Sequence, residues 1–344
     1  MRTAPVKSAG FILFVLAGIA LVTGCSINQI AINAVANVLS GDGGGSTFTT
    51  DDDPELVGAS LPFALKMYET ILDQTPDHEG LLLATGSGFI SYANAFVATP
   101  ASMLSFEQWE KQQADQIRAK KLYLRGRDYL IHALDVRYPG FSDALESTEP
   151  DAAEQLQVFL DEMDSDDVPY LYWTGAGWVA AFSLDAFDLA LAFTVTKAQA
   201  LALRALELDE AYSDGTIHDF LVQYYASLPP SMGGDKEKAE FHHQRALELA
   251  DGRLAGPYVS YAESVVLPRQ ASVEMGDDLE AYAAEIQAVA DEFVSLMEQA
   301  LAVDPDAYPN ARLVNILTQR KARWYLEHLE EFFLLDFDTE GDAF

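Results

Sequence analysis

The chain of 344 residues has one cysteine, Cys25. No disulfide can form within it, so its stability must come from packing. It is also poor in positive charge. Lys and Arg number 21 against 54 Asp and Glu, a net of −33. Such a balance repels phosphate backbones and excludes a nucleic-acid binder. It equally argues against electrostatic docking on anionic lipid headgroups. The leading apolar run, Phe11 to Val22, covers 12 residues, fewer than the roughly 20 that cross a bilayer. No segment alternates apolar and polar residues convincingly, which argues against a sheet. Disorder is excluded too, because 49% of the residues are apolar and can bury a core.

What is present begins with that short apolar run. Arg2 and Lys7 precede it, and Val22-Thr23-Gly24-Cys25 follows it. A basic flank and a short apolar stretch make an export signal rather than a span. The four closing residues resemble a bacterial lipobox, which implies cleavage after Gly24 and acylation of Cys25. The alternative is an ordinary secretory signal with an incidental cysteine. Ser26 rather than Asp follows the cysteine, which by analogy with bacterial lipoproteins points to the outer membrane. Losing Arg2 and Lys7 leaves 19 basic residues against 54 acidic ones, a net of −35. Residues 1–24 are therefore expected to be a signal and 25–52 an anchored segment. The latter divides into a short apolar helix from Ser26 to Leu39 and a glycine-rich linker. Residues 53–335 form the expected folded domain, and 336–344 an acidic tail.

Within the domain one pattern recurs. Arg204-Ala205-Leu206-Glu207-Leu208 returns 41 residues later as Arg245-Ala246-Leu247-Glu248-Leu249. The apolar positions leading into it, Ala198, Leu201, Ala202, Ala205 and Leu206, follow the i, i+3, i+4, i+7, i+8 spacing of a helix stripe. Matching sets begin at Ala239 and Phe293, with looser ones at Ala64 and Gly126. A stop signal follows each: Pro76-Asp77, Pro139-Gly140, Asp214-Gly215, Asp251-Gly252 and Asp304-Pro305. The pattern predicts an all-α fold of helix–turn–helix repeats. It resembles a tetratricopeptide array wound into an α-α superhelix, although the spacings exceed the usual period of 34. An irregular helical bundle is the other reading.

A family resemblance rests on residues in a fixed order. These are Asp52 to Leu56, Leu61 to Lys66, Leu81 to Leu83 with Tyr92-Ala93, and Arg204 to Asp209. Gly233 to Asp235, Arg245 to Leu247, Leu313, Asn315 and Ala322 complete them. In this order they resemble the T-component lipoproteins associated with TRAP transporters. The resemblance implies a periplasmic, lipid-anchored helical protein whose partner is the transporter's soluble substrate-binding protein. The tail from Asp336 to Phe344 does not match the family.

The residues themselves offer little chemistry. His242 and His243 sit at stripe positions, which favours packing over metal binding. His218 and Asp219 are adjacent on a helix and so do not face each other. Gly175 and Gly177 lack the lysine and the strand of a phosphate loop, and read as close-packing positions. The acidic run from Asp161 to Asp167 reads as a solvated loop. No catalytic residue, metal or cofactor is indicated, and the chain is read as a non-enzyme. Aromatic residues are the better candidates. Tyr92, Trp173 and Trp178 are expected to line an apolar ligand groove, with Asn315 and Arg320 as its polar contacts. For Asn315 the alternative is a bridge between helices, and for Arg320 a surface ion pair. The expected partners are a substrate-binding protein, the membrane through Cys25, a small apolar or carboxylate ligand and, on a repeat surface, a second copy of the chain. Two rival readings are a tetratricopeptide lipoprotein of outer-membrane assembly and a hydrolase in a helical fold.

Overall fold

The computed structural model of the protein describes Ala36, residues 47–147 and residues 149–333. The signal, Cys25, the linker and the acidic tail lie outside the described residues. So does the helix expected at 26–39, apart from Ala36, which is helical and buried. Among the described residues there is no strand.

Among the described residues, twelve helices of six or more residues carry the fold. They are α1 (Pro54–Leu72), α2 (Glu79–Ala93), α3 (Trp109–Arg137), α4 (Phe141–Glu146), α5 (Ala152–Glu162) and α6 (Val168–Ser183). Then come α7 (Val195–Leu208), α8 (Thr216–Ser227), α9 (Lys236–Ala250), α10 (Gly256–Tyr261), α11 (Leu279–Ala302) and α12 (Arg312–Glu327). Their starts follow local chemistry. Asp53 accepts the Leu56 N–H at 2.9 Å ahead of Pro54. Asp235 accepts the N–H groups of Glu237 and Lys238. These side chains satisfy donors that a helix start leaves open. The stops work as the sequence suggested. Gly140 and Gly215 adopt φ of 96° and 88°, a conformation that costs glycine little.

Packing runs along the chain. α1 lies on α2, α2 on α3, α3 on α6, α6 on α7, and α8 on α9. The second helix of each hairpin also meets the next such helix: α2 meets α6, α6 meets α8, α8 meets α10 and α10 meets α12. α12 returns to α1, where Arg320 forks onto Glu55 at 2.5 and 3.2 Å. The stripes at Ala198, Ala239, Phe293 and Gly126 bury most of their members. The one at Ala64 is displaced. Its Tyr68 and Leu72 face the core as expected, but Met67 is exposed and Leu61 and Leu65 are buried beside them.

Small residues let the helices approach. A Cβ on Gly126 would stand 2.6 Å from the Gly86 carbonyl oxygen, and one on Gly177 2.6 Å from Ile90 Cδ1. The apolar helix spanning Glu79–Ser102 is long enough to cross a membrane by length and composition. Here it packs between α1, α3 and α6. Two apolar clusters form the core and meet at α8, which gives Leu221 to one and Val222 to the other.

One expectation fails. The run 161–167 is not wholly a solvated loop, because Asp167 is fully buried. It accepts from Arg137 Nε at 2.6 Å, from the Tyr138 hydroxyl at 2.5 Å and from the Asp164 N–H at 2.9 Å. It thereby ties the end of α3 to the start of α6. A buried carboxylate is tolerated only when paired in this way.

Candidate functional site

The five residues singled out from the sequence are scattered. Tyr92, on α2, stacks on Phe96 and its hydroxyl accepts from Arg118 at 3.3 Å. Trp178 is buried, donates to Thr194 Oγ1 at 3.1 Å and lies under the Arg127 guanidinium. Trp173 meets Tyr172 edge to face at 5.2 Å. Asn315 is buried and bridges backbone. Its oxygen accepts the Ala255 N–H at 2.9 Å and its amide donates to the Arg253 carbonyl at 2.8 Å. Arg320 holds Glu55. No ring contact among the described residues links Tyr92, Trp173 and Trp178. Two surface hollows, beside α4–α5 and beside α10–α11, contain none of the five.

A different set converges. Tyr172 on α6 packs its ring against Trp173, Tyr212 and Phe220. Its hydroxyl lies 3.5 Å from that of Thr216 on α8. One turn further along α8, Asp219 accepts from the Ser260 hydroxyl of α10. A Cβ on Gly256 would stand 3.7 Å from Asp219 Oδ2. Both Tyr172 and Asp219 keep part of their surface accessible. Even so, burial drives the Tyr172 phenol well above its usual range. Burial also pushes the Asp219 carboxyl up to about 6, with the Glu263 charge adding to the rise and Ser260 opposing it. In each case the surrounding packing disfavours the charged form. Glu263 continues the polar line. It accepts from Tyr325 of α12 at 2.7 Å and pairs with Lys321.

Polar groups thus run from α6 through α8 and α10 to α12, along the helices that meet one another in succession. Thr216 and Asp219 were legible as polar residues one turn apart on an otherwise apolar helix. Asp219 drew attention only as a neighbour of His218, and the two face opposite ways.

On that other side lies a buried histidine pair. His218 Nδ1 and His242 Nδ1 are 2.7 Å apart, and His218 Nε2 is 3.2 Å from Glu210 Oε1. The carboxylate accepts, so neutral His218 carries its proton on Nε2, and His242 donates across the pair. Arg245 forks onto Glu210 at 2.7 and 3.0 Å and holds that carboxyl down at about 2. Burial, reinforced by His218 and Lys238, lowers His242 to about 4. His243 stacks on Tyr261 at 3.9 Å. Among the described residues no group of three or more His, Cys, Asp or Glu could hold a metal ion.

The arrangement sets a partly accessible carboxyl and a cluster of aromatic rings where α6, α8 and α10 meet. The comparisons with known proteins agree with a role in transport. An uncharacterized protein of Treponema pallidum (strain Nichols) is 34% identical over 333 residues, covering 93% of this chain and 97% of the relative. The sequence model of the TRAP transporter T-component matches residues 50–333. That family is a transporter component and not a family of enzymes. By this match over most of its length, the chain belongs to the TRAP transporter T-component family.

Proposed function

We propose that the protein is a periplasmic adaptor, anchored to the membrane through lipid on Cys25. It holds the soluble substrate-binding protein of a TRAP transporter and takes a small apolar or carboxylate ligand into its inner recess. Its helix pairs act as a tetratricopeptide-like array. The succession of contacts from α2 through α6, α8 and α10 to α12 supports that reading. The observation that carries the ligand role is the line from Tyr172 to Asp219 to Glu263, where burial raises the Asp219 carboxyl and eases its protonation. A protonated carboxyl can donate to an acid ligand, which a carboxylate cannot. Binding would need no catalysis, and membrane anchoring would raise the local concentration of both partners.

The test is a pull-down from native periplasm with the intact lipoprotein, followed by native mass spectrometry of what is captured. Recovery of a TRAP-type substrate-binding protein and a co-purifying small molecule is the expected result. Recovery of a β-barrel assembly complex instead would favour the outer-membrane alternative. Cys25→Ala should abolish acylation, and an unmodified mature N-terminus in the wild type would defeat the anchoring part.

A further inference from the structure

Outside that site, one surface lacks a use. Phe106 and Trp109 sit at the projecting tip where α2 turns into α3. Phe106 is 90% exposed and Trp109 49%. Ile117, two turns along α3, is also exposed. One turn beyond it, Lys120 grips Asp185 at 2.8 Å and Asp188 at 2.7 Å. This fixes the α6–α7 loop beside α3, and that loop presents Phe187, Leu189 and Phe193 at 93, 68 and 79% exposure. Six large apolar side chains are therefore exposed on the α3 end and on the loop that α3 holds, taken together here as a strip. Exposed apolar surface of this extent marks a contact site.

Three observations name the occupant. On the strip, residues 102–120 hold three acids (Glu107, Glu110, Asp115) and three bases (Lys111, Arg118, Lys120), and the loop adds Asp185 and Asp188, a net of −2. Asp185 and Asp188 are already bound by Lys120. The six side chains line neither of the two hollows described above. A protein partner needs shape complementarity at its contact, whereas a fluid bilayer interface accepts separate aromatic anchors. Finally, the 28 residues between Cys25 and Pro54 reach at most roughly 100 Å. A body on such a tether stays within reach of the bilayer.

We propose that this strip seats the body on the neutral, apolar-facing part of a lipid bilayer, as a second contact beside the lipid on Cys25. The proposal rests on the anchoring reading above. Because the tether already concentrates the protein at the membrane, a weak patch suffices. The acidic remainder faces away from the lipid and leaves the partner-binding surface free. Seating is therefore strongest on phosphatidylcholine and weaker on phosphatidylglycerol, where the net charge repels.

The experiment uses the mature lipoprotein in phosphatidylcholine vesicles with brominated acyl chains. Tryptophan quenching is expected, with much of it lost in Trp109→Phe. In the combined Phe187→Ser and Phe193→Ser variant the unacylated mature chain should partition at least about tenfold less into the same vesicles. Circular dichroism of these surface variants checks that the fold is intact. Full exposure of Trp109 in the vesicle-bound, acylated protein would overturn the proposal. So would shielding of Trp109 that appears only with added substrate-binding protein, or only as protein concentration rises. Absence of lipid on Cys25 would defeat the anchoring reading alone, because the unacylated partition measurement stands without it.

Discussion

Replacing Asp219 by Asn tests the site through its cost. The carboxyl lies at about 6 in the folded chain against an ordinary 3.8. Its folded value is raised, so the favourable contribution is complete below about pH 3.8 and is lost as pH rises through about 6. Above that, the ionised group opposes folding. The shift corresponds to a ceiling of about 3 kcal/mol. Because Asp219 retains some access to water, about 1–2 kcal/mol is the reasonable expectation. Asparagine keeps an oxygen for the Ser260 hydroxyl and cannot ionise. Urea unfolding above pH ~7 should therefore show Asp219→Asn more stable than wild type by about that amount, with the gap closing near pH ~4. Equal destabilisation at both values would refute the reasoning, as would a carboxyl titration in the ordinary range. A stabilising loss of this kind is what a functional site predicts, so ligand capture should fall in the same variant.

Three further outcomes follow from the packing. His242→Asn keeps a donor near the position of Nδ1 and removes a base held at about 4. The His242 contribution to stability should fall by roughly 3 kcal/mol as pH drops from about 6.5 to about 4, and the variant should show a correspondingly shallower limb in a pH series of unfolding curves, His218 and His243 being lowered by burial as well. Gly126→Ala drives a Cβ to 2.6 Å from the Gly86 oxygen and should cost about 1–3 kcal/mol, read as a lower melting temperature. Asn315→Ala strips the Ala255 N–H and the Arg253 carbonyl of their partner. A loss of about 1–3 kcal/mol for each buried group left open should appear in denaturant unfolding.

The helical class was legible because stripes such as Ala198 to Leu206 and stops such as Asp214-Gly215 obey local rules. The displaced stripe on α1 shows where those rules end. Leu56, Phe63 and Met67 are as apolar as Leu61 and Leu65, so composition alone could not tell which face meets α2. Nor does periodicity register an inserted residue. Thr99 and Leu267 each donate five residues back, to Asn94 and Ala262, just before Pro100 and Pro268. Proline removes the next N–H and the helix loosens there. The site was missed for a similar reason. Tyr172 and Asp219 are 47 positions apart, and only the packing of α6 on α8 brings their neighbourhoods together. Trp173, one residue away, was chosen for its size, and Asp167 was misread because its partner Arg137 lies across a helix junction.

The two titrating features meet on α8, at neighbouring residues that face opposite sides. The His218–His242 pair loses stability as pH falls through roughly 6.5 to 4, and Asp219 loses it as pH rises through roughly 3.8 to 6. The windows overlap and the slopes have opposite sign. In the wild type they offset in part, so the net loss toward acid between about pH 6 and 4 should be shallower than the histidine side alone would give. Each single substitution removes one slope and should expose the other. His242→Asn should leave a protein that grows less stable toward neutral pH, and Asp219→Asn one that grows less stable toward acid. The combined variant should lose both slopes, leaving the profile to the remaining perturbed groups, among them His243, Glu210 and Glu240.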